Sequence, residues 1–215
     1  GGDLSTRKPY RMALVYLYSA LGERGLNWAE RLLTDLSHQE MTLLTTRIGP
    51  GTREPLTSSC GRLFDAVGAA LGVCGINRYE GQAAIELEAC ADPHETGSYG
   101  FSLEKQGDCW VMDLIPMWSE LMNDIEKSCR LESMAMRFHL TLVRMFLSTL
   151  LNIRDETGLN RVVLSGGVFH NQILLMNLIE QLSSQGFMVY HHQKVPPGDG
   201  GISLGQAVIA SEVSK

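Results

Sequence analysis

Several features that would assign a function quickly are scarce in this sequence. Of its 215 residues, 18 are Lys or Arg against 24 Asp or Glu, a net charge of −6 at pH 7. No window gathers the basic residues into a stripe, which disfavours a nucleic-acid interface. Cysteines stand at 60, 74, 90, 109 and 129, odd in number and never in a C-x-x-C pair. That suits neither a disulfide framework nor a zinc site. They read as free thiols of a reducing cytosol, each a small buried hydrophobe. No apolar run of membrane-spanning length stands out, and the amino terminus lacks a charged-then-apolar pattern, so neither insertion nor export is expected. Internal repeats and low-complexity tracts are missing as well.

What is present reads as helices with a short α/β layer at the end. The length suggests one core with a smaller helical lobe attached. Gly1-Gly2-Asp3-Leu4 reads as loop, as though cut from something longer. Pro9 to Leu21 has helical periodicity with Met12, Val15, Tyr16 and Ser19 on one side, and Gly22 and Gly25 punctuate its end. Asn27 to Glu30 resembles a capping box for a second helix, with Ala29, Leu32, Leu33 and Leu36 as its stripe. A third runs from Gln39 to Ile48 and stops at a linker, Gly49-Pro50-Gly51. The expected division is therefore 1–48, a helical segment, and 52–215, a nucleotide-binding lobe.

Thr57-Ser58-Ser59 offers cap hydroxyls for a helix that Gly72 closes, and a further helix spans Glu80 to Cys90. A hairpin is expected from Phe101 to Leu114 around Lys105-Gln106-Gly107-Asp108. Helices follow from Pro116 and from Leu131, the latter the longest. The chain then reads strand 161–165, helix 171–184, strand 188–192 and helix 201–212, an α/β layer.

The chemistry centres on Val162 to Asn171, VVLSGGVFHN, a strand, a Gly166-Gly167 turn and a helix opened by Asn171. Paired glycines let backbone N–H groups approach an anion, and the helix terminus adds partial positive charge. The same unit also serves as a plain tight connection. Asp199, flanked by glycines in VPPGDGGI, follows the last strand at the edge where open α/β sheets place ligands. A surface turn would use the same residues. Two such loops on one edge suit a phosphate and a hard cation together.

LSGGVFHNQILL with VPPGDGGISLGQA, together with SSCGRLFDAVGAALG, YEGQAAIELEA and GGDLSTRKPYRMAL, resembles the carboxyl-terminal part of the HypF carbamoyltransferases of nickel–iron hydrogenase maturation. The first four of these stretches fall in family order, the fifth is similar to the family's linker into this region, and together they cover nearly the whole chain. The resemblance implies an ASKHA fold, α/β and helix-rich, with a mixed ribonuclease-H-like sheet, one of two lobes that close around a nucleotide. It implies that Gly61, Arg62 and Asp65 lie on the nucleotide side, that Gly166, Gly167 and Asn171 meet its phosphate, and that Asp199 binds a divalent metal (Fe, Zn or Mg). The remaining metal ligands, two histidines four apart, belong to a lobe outside this chain. ATP and carbamoyl phosphate would give carbamoyl adenylate, and the acceptor would be the terminal cysteine of a HypE-like partner, in the cytoplasm. The lobe alone would not turn over, and its uncovered face would allow a homodimer. A docking lobe without catalysis and an O-carbamoyltransferase acting on a small-molecule hydroxyl are the alternatives.

The other polar residues have simpler readings. Arg62 pairs with a phosphate or with Glu80 and Glu86. Gln82 caps a helix or meets the nucleotide. His139 reads as a core histidine and His170 as an exposed one at a helix start. His191 and His192 point to opposite faces of a strand, against joint chelation. The methionines, Met134, Met145 and Met176 among them, read as core filler.

Overall fold

The computed structural model describes residues 2–48 and 57–213. Gly1 and the expected linker at Gly49 to Gly51 lie outside the described residues. The chain forms two compact units, 1–141 and 142–215. These units do not coincide with a division at 49–51, because the first helices and those that follow share one core. The backbone ties them as well: Tyr10 N donates to Gly75 O at 3.3 Å and Asn77 N to Arg7 O at 2.9 Å.

In the amino-terminal unit, α1 (Asp3–Arg7) is helical where loop was expected, with Asp3 in its first turn and Arg7 in its last, both favourable to the helix dipole. α2 (Pro9–Leu21) begins on Pro9, whose missing N–H costs nothing there. Its buried face is Tyr10, Met12, Ala13, Leu14 and Leu17, and of the expected stripe only Met12 is fully buried while Ser19 is exposed. The stripe turns because α2 packs on both α3 (Glu23–Leu32) and α5 (Cys60–Ala70). α3 starts at Glu23 after Gly22 (φ +59), so Asn27 lies exposed inside the helix and is no cap. Gly25 belongs to the same helix, and a Cβ there would collide with the Leu17 carbonyl, so the two backbones touch. α4 (His38–Thr45) is capped by Ser37, whose Oγ accepts from Glu40 N at 3.2 Å.

Ser59 is the N-cap of α5 without a side-chain bond; its own N–H donates to Thr57 Oγ1 at 3.1 Å. Gly72 (φ +72) follows the helix. α6 (Gln82–Ala89) starts after Gly81 and buries Ala83 and Leu87. β1 (Ser102–Gln106) and β2 (Cys109–Asp113) pair antiparallel around Gly107-Asp108, and Gly107 takes φ +61, as a two-residue hairpin requires. α7 (Ile115–Glu126) carries Pro116 in its first turn.

α8 (Leu131–Thr157) contains the unit boundary. Among the described residues it is long and apolar enough to cross a membrane, contrary to the expectation from the sequence. Yet 56% of its apolar window is buried in the protein, as in a core helix. Phe138 and His139 from α8 meet Phe64 of α5 edge-on, with ring centroids 4.9 and 5.3 Å away. The five cysteines are free; Cys74 is buried, but Cys109 is exposed at the start of β2, against the expectation for all five.

In the carboxy-terminal unit, β3 (Arg161–Leu164) pairs parallel with β4 (Met188–His191), Leu164 opposite His191. α9 (Gln172–Ser184) connects them and buries Leu174, Leu178 and Leu182. Alternation along β3 buries Val162 and Leu164 and leaves Val163 70% exposed. Met176 on α9 is exposed too, so it is not core filler. A 3₁₀ turn (Gly167–His170) precedes α9, and another (Asp199–Gly201) precedes α10 (Ile202–Val213). Every residue of α10 is exposed. The described strands thus form two small sheets, one antiparallel and one parallel, in a helix-rich α/β chain.

Candidate functional site

The expected site residues fall in two places, one in each unit. In the carboxy-terminal unit, the segments after β3 and β4 meet. Gly166 N donates to Pro197 O at 2.9 Å. A side chain at Gly198 would begin 3.3 Å from Gly167 Cα and 3.4 Å from His170 Nε2, so the two glycine loops lie directly against each other. Gly166 holds φ +107, a conformation open to glycine alone at little cost. A Cβ at Gly167 would meet nothing within 4 Å, which leaves open space over the turn. Asn171 is buried, and its Oδ1 accepts from Leu174 N at 2.8 Å, capping α9. Asp199 and His170 are exposed.

A pair that the sequence did not announce sits on the same edge. Ser165 Oγ lies 2.9 Å from His192 Nε2. The two residues directly follow β3 and β4, which the parallel register makes neighbours. The separation of 27 residues hid them; the one available signal was that each follows a strand of the same parallel pair.

In the amino-terminal unit, Arg62 and Asp65 lie one turn apart on α5, with Gly61 beside them in its first turn. Asp65 is 1% exposed. Arg62 Nη2 approaches Asp65 Oδ2 to 2.9 Å, an ion pair outside hydrogen-bond alignment, and Asn77 Nδ2 donates to Asp65 Oδ1 at 3.2 Å. Burial raises the Asp65 carboxyl above the ordinary carboxylate range, against the pull of Arg62 and Asn77. Arg62 therefore takes Asp65 as its partner, not Glu80 or Glu86; Glu86 accepts from Gln82 Nε2 at 2.7 Å. Gln82 Oε1 in turn accepts from Arg78 N at 2.7 Å in the turn before α6, so it ties that turn to the helix and does not cap it.

Asn77 is the residue that sequence reading missed. Its Nδ2 also donates to Thr6 O at 2.8 Å, and its Oδ1 accepts from Ala83 N at 3.1 Å. One amide thus joins the end of α1, α5 and the start of α6.

Other titratable groups serve the frame. Arg137 bridges Glu95 Oε2 at 3.0 Å and Asp124 Oδ2 at 2.8 Å beside a cavity of about 250 Å³. His139 is fully buried with Nδ1 2.8 Å from Ala135 O, and burial lowers it to about 4, so it is a neutral core group at pH 7. Burial pushes the Cys60 thiol up to about 12, which keeps it protonated and unreactive. Among the described residues no group of three or more His, Cys, Asp or Glu could hold a metal ion. Asp199 does not make a metal centre with its neighbours.

Residues 1–206 match the family described as the carbamoyltransferase Kae1-like domain, second subdomain. The chain belongs to that family. Curated relatives include the probable carbamoyltransferase HypF of Methanocaldococcus jannaschii, 33% identical over 97% of this chain and 27% of the relative. The carbamoyltransferase HypF of Rhodobacter capsulatus is 34% identical over 98% of this chain and 26% of its own length. A full-length HypF crystallised in a phosphate- and nucleotide-bound form superposes over 99% of this chain and 27% of its own, with TM-score 0.87 and 37% identity. HypF of T. kodakarensis covers 96% of this chain, with TM-score 0.76 and 26% identity. The fold is accordingly the α/β, Kae1-like carbamoyltransferase fold. The chain spans about a quarter of the length of these relatives.

Proposed function

We propose that this chain is the nucleotide-phosphate wall of a HypF-type carbamoyltransferase. The observation that carries the reading is the junction of the two glycine loops, Gly166 bonded to Pro197 O and Gly198 seated on Gly167, with open space above. It lies at the carboxyl ends of parallel strands, where α/β folds bind phosphates. A HypF of similar structure was crystallised with phosphate and nucleotide bound, which supports nucleotide use as the general function. Gly166 acts through backbone shape, since its N–H is committed, and Gly167 leaves space over the turn where a side chain would otherwise stand. Asn171 holds the end of α9 in register with the turn. On α5, Asp65 acts by fixing Arg62.

The substrates are carbamoyl phosphate and ATP. Hydrolysis of carbamoyl phosphate releases inorganic phosphate and carbamate, a carbamate oxygen displaces pyrophosphate from the α-phosphorus of ATP to give carbamoyl adenylate, and the terminal cysteine thiolate of a HypE-like acceptor attacks its carbonyl carbon as AMP leaves. This wall supplies orientation and charge stabilisation, with no covalent nucleophile of its own. The divalent metal expected at Asp199 needs ligands from outside the chain, and no step is assigned to it. The chain alone is inactive, its setting is the cytoplasm, and the reaction belongs to hydrogenase maturation. Self-association through the exposed apolar α10 (Ile202, Leu204, Val208 and Ile209) is part of the reading, and a monomer in light scattering at high concentration removes it.

Titration calorimetry with ATP tests the site. Gly167→Val puts a branched side chain over the turn, where its Cβ meets nothing within 4 Å, so it should abolish ATP binding and leave the unfolding midpoint in place. Equal binding by the variant and the parent chain would sink the reading.

A further inference from the structure

We propose that Ser165 is a further phosphate-contacting residue of this site and that His192 is its positioning residue, a refinement that rests on the phosphate-site reading above. A phosphate on a glycine turn needs several donors, and here one backbone amide is missing: the Gly166 N–H is spent on Pro197 O. The side chain next to that amide carries a hydroxyl. Ser165 is exposed, and its one described hydrogen-bond partner is His192 Nε2 at 2.9 Å.

A serine hydroxyl has one proton to give. If it points that proton at the imidazole, it offers an incoming anion only lone pairs. If His192 carries its own proton on Nε2 and donates to Ser165 Oγ, the serine O–H is released toward the ligand. An anion over the turn selects the second arrangement. His192 also lines an open depression of about 480 Å³ with Tyr190 and Lys194, so the ring stands at the rim of accessible space and not inside the core.

The test compares ATP dissociation constants, unfolding midpoints and the His192 tautomer. Ser165→Ala should weaken ATP binding about tenfold, the worth of one hydrogen bond to a charged group, with an unchanged midpoint. Ser165→Thr, which keeps the hydroxyl, should bind within about twofold of the parent chain. His192→Phe should weaken binding, and His192→Asn, whose amide can still donate, should recover most of it. In the ATP complex, two-bond ¹H–¹⁵N spectra should place the His192 proton on Nε2. A proton on Nδ1, a Ser165→Ala chain that binds ATP as well as the parent, or a binding loss matched by a fall in midpoint overturns the inference. Loss on Gly167→Val without loss on Ser165→Ala overturns this inference and leaves the phosphate site standing. A parent chain that binds no ATP overturns both.

Discussion

Asp65 and Asp199 are the same side chain in opposite circumstances. Asp65 is 1% exposed, on a helix, between Arg62 and Asn77. Asp199 is exposed, in a short turn between glycines. A carboxylate can be buried only when paired and hydrogen-bonded, and once so engaged it serves the frame. A carboxylate meant for a ligand has to stay uncommitted, and the frame then gains nothing from it. The two regions therefore differ in one carboxylate each: on α5 Asp65 is committed to holding shape, and at the strand edge Asp199 stays exposed.

This contrast can be broken from either side. Asp65→Ala should have the largest effect, about 4 kcal/mol in urea unfolding, because it takes the partner from the part-buried Arg62 and leaves an Asn77 amide hydrogen unpaired. A loss under about 1 kcal/mol would mean that the cluster is not holding the fold. The next effect comes from the same core. His139 is lowered to about 4 by burial, below its ordinary value of 6.5. Between those values the unfolded chain binds a proton that the folded chain refuses. Its contribution is thus complete above pH 6.5 and lost as the pH falls toward 4, on the order of 3 kcal/mol. His139→Phe should flatten that part of the stability profile, and an unchanged slope would place the acid sensitivity elsewhere. The smallest effect belongs to the exposed aspartate: Asp199→Asn should shift stability by less than about 0.5 kcal/mol. A larger shift in thermal unfolding would show that the strand edge also serves the frame.

Local signals carried much of the architecture. Pro9, the Gly107-Asp108 turn and the strand-glycine-helix run at Val162 are marked by residues that act within a few positions of themselves, and those elements appear where the sequence places them. The start of α3 was misread because Asn27 and Glu30 imitate a cap, whereas Gly22 already turns the chain. The buried stripe of α2 was not legible, since its width depends on two partners distant in sequence. Of the site, the glycine turns and Asp199 were legible as residue types. The Gly166–Pro197 bond and the Ser165–His192 pair were not, because strand pairing creates them. Asn77 escaped notice for the same reason: nothing near it in sequence hints at Thr6.

That last contact has a consequence for timing. Thr6 and Asn77 are 71 positions apart. Loop closure over that distance is slow compared with helix formation, so α1 and α2 can coil early but cannot settle. During vectorial synthesis the first helices wait, with Leu14 and Leu17 uncovered, until the ribosome has released Asn77 and the helices on either side of it. The cover of α2 is thus completed only once α5 and the Asn77 turn have both been made.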